Sequence, residues 1–297
     1  MRFTLRLALA IVAAILATVV LAPAAAWLIA AAGLRYSFPR IFDRVVMVSV
    51  AVALLLFARQ LGLGALLRSG FGGPPRKLAL GLRGIAVAIA AMALLLLLAV
   101  LAGGGRPPDW AGIAADLPKW LLTAVTVALI EESFFRAILL GGMQRELAAT
   151  RALVVSSIIY AGAHLVRAPQ KYYVTTFEPL VGLQNLSASA SQLTGVQTAL
   201  PAFIGLFILG LVLGRAYQLT GKVYFSLGLH GAIIIGLRVW SKCVWRAKLP
   251  FWVVGDLNTP VISGFAAWAI VLTMLAALPC LLGARSNDRD APRVSSA

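Results

Sequence analysis

Long apolar runs, separated by short polar or glycine- and proline-rich breaks, fill the chain from end to end. The runs cover residues 7–33, 45–67, 84–101, a fourth that begins near Trp110 or Leu117 and ends at Glu132, then 152–166, 198–219, 223–240 and 261–282. A hydrocarbon core of ~30 Å takes about 20 helical residues to cross. The pattern therefore predicts an all-α fold, a polytopic transmembrane bundle of about eight spans. The breaks are strong ones, with Gly70, Gly72, Gly73, Pro74 and Pro75 before the third run and Gly103, Gly104, Gly105, Pro107 and Pro108 after it. The one long polar interior stretch, 167–195, reads as a loop that gates the site or lies in the membrane interface. The tail 284–297 is polar and reads as disordered.

Individual runs differ in character. The start resembles a signal peptide, but its apolar run continues through Trp27 and Ile29, longer than a signal's core, so it reads as an uncleaved first span. Arg59 and Gln60 place one end of the second span at an interface. The third span is the most uniformly apolar and reads as a lipid-facing wall without chemistry. Gly210 and Gly214, four apart on the sixth span, have the spacing of a close-packing face. The basic and aromatic stretch around Lys242, Trp245, Arg246, Lys248 and Trp252 reads as an interfacial anchor.

Composition agrees: 61% of residues are hydrophobic, 12% are charged and mean hydropathy is +0.93. The formal charge of +16 is spread between the apolar runs and forms no single basic face, which argues against a nucleic-acid partner. A small inward excess of Lys and Arg places both termini in the cytoplasm and the 167–195 stretch outside. The expected setting is a cell membrane of the bacterial inner-membrane kind. The domain organisation is one membrane domain over 1–297. Cys243 and Cys280 fall at opposite faces, so no disulfide is expected.

Ionisable groups are costly in such a chain and mark functional sites. Residues 128–136 read ALIEESFFR, which puts Glu131, Glu132 and Arg136 inside an apolar helix, and the chain's two histidines, His164 and His230, also lie in predicted spans. Glu132 and Arg136, four apart, share a face and suit an ion pair. Glu131, about 100° away around the helix, is left to face a cavity and act as general base on a water. His164 would sit beside it, its ring held by the Tyr160 side chain, and His230 would donate to the oxyanion of an attacked peptide carbonyl. Each group alone also fits a structural role as a helix-bridging histidine or a buried ion pair. No cofactor is implied. Glu131, His164 and His230 would be the ligands if zinc were used, although no HExxH pair is present. A non-catalytic immunity or scaffold protein and a proton-coupled transporter are the other classes, the last disfavoured by the lack of an internal repeat.

These residues also carry a resemblance. Glu131-Glu132-Ser-Phe-Phe-Arg136 resembles the EExxxR motif of the CPBP family of intramembrane proteases, which includes the type II CAAX prenyl endopeptidases and the bacteriocin-processing and immunity proteins. Tyr160-Ala-Gly-Ala-His164 is similar to its FxxxH motif, and His230 to its third motif. The resemblance implies a catalytic helical core at 115–240 and a glutamic-type endopeptidase acting on a membrane-associated peptide or protein, with Glu131 and His164 activating water and His230 supporting the oxyanion. Two positions depart from the family pattern. Tyr160 stands for Phe, and Ile234 stands where Asn or Asp normally follows the third-motif histidine. On the seventh span Ser226, His230 and Ile234 share a face, which makes Ser226 the expected substitute donor.

Overall fold

A computed structural model of the chain describes residues 2–73, 77–166, 171–191, 196–257 and 259–283, with only the backbone at 196–198. It is a helical membrane bundle. The helices are α1 (Phe3–Ala31), α2 (Phe38–Leu56), α3 (Ala58–Leu61), α4 (Leu63–Phe71), α5 (Lys77–Ala99), α6 (Trp110–Glu132), α7 (Gly141–Met143), α8 (Ala149–Leu165), α9 (Val181–Ser191), α10 (Val196–Thr220), α11 (Tyr224–Cys243), α12 (Phe251–Val254) and α13 (Phe265–Leu282). Among the described residues no strand forms, and Gly105 and Val244 make an isolated antiparallel bridge.

Helices stand at all eight predicted positions, the second of them, 45–67, broken into the end of α2, α3 and α4. Five segments, Phe3–Ala31, Lys77–Gly104, Trp110–Met143, Ala199–Thr220 and Phe265–Leu282, are long and apolar enough to cross a membrane. The other three, α2, α8 and α11, fall short of that standard and carry ionisable groups of their own: Arg40, Asp43 and Arg44, then His164, then His230.

Several boundaries differ from the sequence expectation, each for a local reason. The fourth span does not end at Glu132. A π-helical segment, Ser133–Leu140, carries it on into α7, so the glutamates lie within the span and not at its end. The second span starts at Phe38, seven residues before the expected Val45, because Arg40, Asp43 and Arg44 join its first turns. The 167–195 stretch is not all loop, since Val181–Ser191 forms α9; residues 167–170 and 192–195 lie outside the described residues, as does the polar tail. The eighth span begins at Phe265, Val261 being held in the preceding turn. Cys243 is buried and Cys280 exposed, and both are free thiols.

The third span is more than a lipid-facing wall. Leu82, Ile89 and Leu97 on α5 are exposed, but its opposite face lies directly against α11. A Cβ at Gly84 would come within 2.2 Å of the Phe225 carbonyl oxygen, and one at Gly228 within 2.1 Å of the Gly81 carbonyl oxygen. Glycine at both positions lets the two backbones touch, and this contact fixes the helix that carries His230. The predicted small-residue face of α10 is seen as well: a Cβ at Gly210 would sit 3.1 Å from Ser157 Cβ, and one at Gly214 would sit 2.5 Å from Leu153 Cδ1, both on α8.

The main core gathers Phe135, Leu140, Tyr160, Leu213, Phe225 and Leu229 from the π segment, α8, α10 and α11. A smaller cluster joins α1 and α2 to the segment before α9 through Ala22, Ala26, Phe38, Val174 and Val181. There the Phe38 amide donates to the Tyr172 carbonyl (2.7 Å), and the Tyr172 hydroxyl donates to Asn185 Oδ1 (3.0 Å). The start of α1 is tied to the turn after α7, where the Glu146 carboxylate accepts from the Phe3 amide and from the Thr4 amide and hydroxyl. The Thr4 hydroxyl bond holds the Glu146 carboxyl below the usual carboxylate range.

Candidate active site

Three helices bring the sequence-predicted residues together. Glu131 and Glu132 end α6 where the π-helical segment begins, His164 is in the last turn of α8, and His230 lies one and a half turns into α11. A π-helix is rare and recurs at functional sites because its wider turn re-aims side chains. Here Arg136 lies inside that segment and returns to Glu132, its Nε 3.1 Å from Glu132 Oε2, with both side chains fully buried.

The other oxygen of Glu132 holds His230. His230 Nδ1 lies 3.0 Å from Glu132 Oε1, and the pair joins α6 to α11. His164 Nδ1 lies 2.8 Å from the backbone carbonyl oxygen of Tyr160. A carbonyl oxygen and an ion-paired carboxylate accept hydrogen bonds, so each histidine carries its hydrogen on Nδ1. Each then turns Nε2 towards Glu131. Glu131 Oε2 is 3.1 Å from His164 Nε2 and 3.9 Å from His230 Nε2. It is a buried oxygen that no hydrogen bond reaches among the described residues, so the short approach to His164 lacks hydrogen-bond alignment.

The Tyr160 side chain does not hold the His164 ring by a hydrogen bond, contrary to the sequence expectation. Its backbone does so, and its ring packs at 4.3 Å from the imidazole centroid. The same buried ring lies under the Arg136 guanidinium, 4.9 Å from Cζ, and edge-on to Phe135. Arg136 Nη1 and Nη2 have no hydrogen-bond partner among the described residues, so the aromatic face is what meets their charge.

Ser226 also departs from expectation. Its buried hydroxyl donates to the Leu213 carbonyl of α10 at 2.9 Å, and Glu132, not Ser226, orients His230. It is a clamp between α10 and α11. Ser226→Ala is expected to lower unfolding stability by about 1 kcal/mol and to leave turnover per folded molecule unchanged. Thermal unfolding in detergent beside a rate assay checks this, and a tenfold rate loss without destabilisation would restore the catalytic reading. Ile234, half-buried one turn beyond His230, supplies no polar group.

The cavity at this site, about 450 Å³, is lined by Glu131, Phe135, Ala163, His164 and Val166 together with Arg40, Asp43, Arg44 and Met47 of α2. Sequence reasoning missed the α2 residues by treating them as flanking charges. Their signal was present: positions 40, 43, 44 and 47 follow the spacing of one helix face running into an apolar stretch.

Glu131, His164 and His230 are the residues to test as metal ligands. The ring orientation suits a metal, since a metal-bound histidine donates its other N–H to a carboxylate or carbonyl. The spacing does not. Among the described residues no group of three or more His, Cys, Asp or Glu side chains is placed to hold an ion.

The family described as Type II CAAX prenyl endopeptidase Rce1-like matches residues 113–235, a segment that contains Glu131, Glu132, Arg136, Tyr160, His164, Ser226 and His230. The match falls within the family that the sequence motifs resemble. No curated protein and no solved structure matches the chain.

Proposed function

We propose that this chain, whose residues 113–235 match the Rce1-like family of type II CAAX prenyl endopeptidases, hydrolyses a peptide bond of a membrane-associated protein or peptide by activating water with Glu131 and His164. The observation that carries the reading is that Glu131 Oε2 lies 3.1 Å from His164 Nε2 and 3.9 Å from His230 Nε2, with Glu131 and His164 lining one cavity. The Glu131 carboxylate and the Nε2 of His164 are both acceptors and need a donor between them. Water has two hydrogens to give, and a water so held presents its oxygen lone pair to a substrate carbonyl. Glu131 takes the proton as water attacks, and passes it on to the leaving amine.

His230 donates to the oxyanion in this scheme. Its Nδ1 hydrogen is committed to Glu132, so it donates from Nε2 only as the doubly protonated ring. Glu131 therefore acts as the carboxylate base and His230 as the doubly protonated donor. The setting is a cell membrane of the bacterial inner-membrane kind, and the substrate is reached within or beside the bilayer.

Comparative membrane proteomics of cells carrying the wild-type chain or Glu131→Ala tests the function. Peptide cleavages present with the first and absent with the second identify the substrate; identical cleavage patterns overturn the reading.

The inward-facing Nε2 atoms favour a second reading, a zinc-dependent protease with Glu131, His164 and His230 as ligands. Chelation of the purified chain followed by elemental analysis separates the two. Water activation by the Glu–His pair predicts full activity after chelation. Stoichiometric zinc, lost together with activity and restored by re-addition, would establish the metal mechanism.

A further inference from the structure

Arg40 and Arg44 stand one turn apart on α2 and line two adjoining cavities at once. One is the catalytic cavity; the other, also about 450 Å³, is an apolar groove between α1 and α2. Its walls include Leu21, Ala25, Ile29, Ile41, Val45 and Val48. Leu21 and Val48 are 53% and 63% exposed, so the groove opens away from the protein core, towards lipid in a membrane.

Among the described residues, one contact to each guanidinium is aromatic or to sulfur and leaves its charge in place. Arg40 lies over the Tyr36 ring, 5.3 Å from its centroid, and Arg44 Nη1 lies 3.4 Å from the Met47 sulfur. Asp43 lines the catalytic cavity and not the groove, so the ionisable groups at the head of the groove are the two arginines and the Tyr36 hydroxyl.

An aliphatic channel capped by two guanidiniums and a phenol fits an anionic amphiphile. Planar guanidinium forks match phosphate oxygens in pairs, and basic pockets beside membrane helices take anionic lipid head groups. We propose that the α1–α2 groove binds an anionic phospholipid of the surrounding bilayer, its acyl chain along the groove and its phosphate on Arg40 and Arg44. The head group then lies at the mouth of the catalytic cavity, beside the route from lipid to Glu131. The proposal does not rest on the hydrolytic reading, because its readout is bound lipid.

The test uses the purified, delipidated full chain. It is offered phosphatidylglycerol and phosphatidylcholine of identical acyl chains in equal amounts, and native mass spectrometry reads the lipid retained. Preference for phosphatidylglycerol of at least about tenfold is expected, from two arginines at a membrane surface. Arg40→Gln/Arg44→Gln abolishes that preference, Arg40→Lys/Arg44→Lys keeps most of it, and Arg83→Gln, which removes an exposed charge from α5, leaves it intact. Ala25→Phe narrows the groove and lowers retention of both lipids, which keeps the proposal testable if the double glutamine variant does not fold. Equal retention of the two lipids, unchanged preference in the double glutamine variant, or displacement of the lipid by equimolar inorganic phosphate would overturn it.

Discussion

Glu131→Gln is expected to remove hydrolysis by about 10² to 10⁴-fold, the usual contribution of a positioned general base, while the protein accumulates and unfolds as the wild type does. The amide keeps the shape of the side chain but cannot take a proton from water. Folding should barely notice. The Glu131 side chain is 23% exposed at a cavity wall, and its Oε2 has no hydrogen bond to lose. Surface and cavity-edge substitutions without broken partners usually shift stability by no more than about 0.5 kcal/mol. Single-turnover cleavage of a defined substrate, beside a detergent unfolding curve for the same preparation, measures both quantities. Wild-type turnover in Glu131→Gln would transfer the base role to His164 alone.

Arg136→Ala is expected to act through stability instead. Arg136 and Glu132 are both fully buried, and truncating the arginine leaves a carboxylate in the core whose remaining partner is His230. Breaking one side of a buried pair costs about 3 to 5 kcal/mol, enough to deplete folded protein. The loss also strips the Tyr160 ring of its guanidinium and opens a void beside Leu153 and Gly214. Replacing both charges by apolar residues of similar volume, as in Glu132→Leu/Arg136→Met, should recover much of that stability. It should not recover activity, because His230 Nδ1 then has no acceptor and its ring is no longer oriented. Unfolding free energies and rates for the single and double variants check this. Full activity in the double variant would remove Glu132 from the positioning of His230.

The sequence by itself determined the class of fold and the identity of the ionisable cluster. Apolar run length is a direct consequence of bilayer thickness, so a helix stands at each of the eight predicted positions, and Glu131, Glu132, Arg136, His164 and His230 stood out because polar groups are rare in such runs. The i, i+4 spacing of Glu132 and Arg136 was likewise enough to give their ion pair, a contact within one helix turn. What lies between helices was not legible. Ser226 and His230 share a face of α11, but only the packing of α10 gives the Ser226 hydroxyl its Leu213 partner, and only the packing of α6 against α11 brings the second oxygen of Glu132 to His230. Tyr160 was read through its hydroxyl, whereas its carbonyl and ring face do the work, a choice set by the approach of α8 to Arg136. Most of all, the tertiary structure decided that α2, outside the matched segment, lines the cavity beside Glu131 and His164 with Arg40 and Arg44. Helical periodicity places those residues on one face, and the neighbour that face meets is fixed by contacts far apart in the chain.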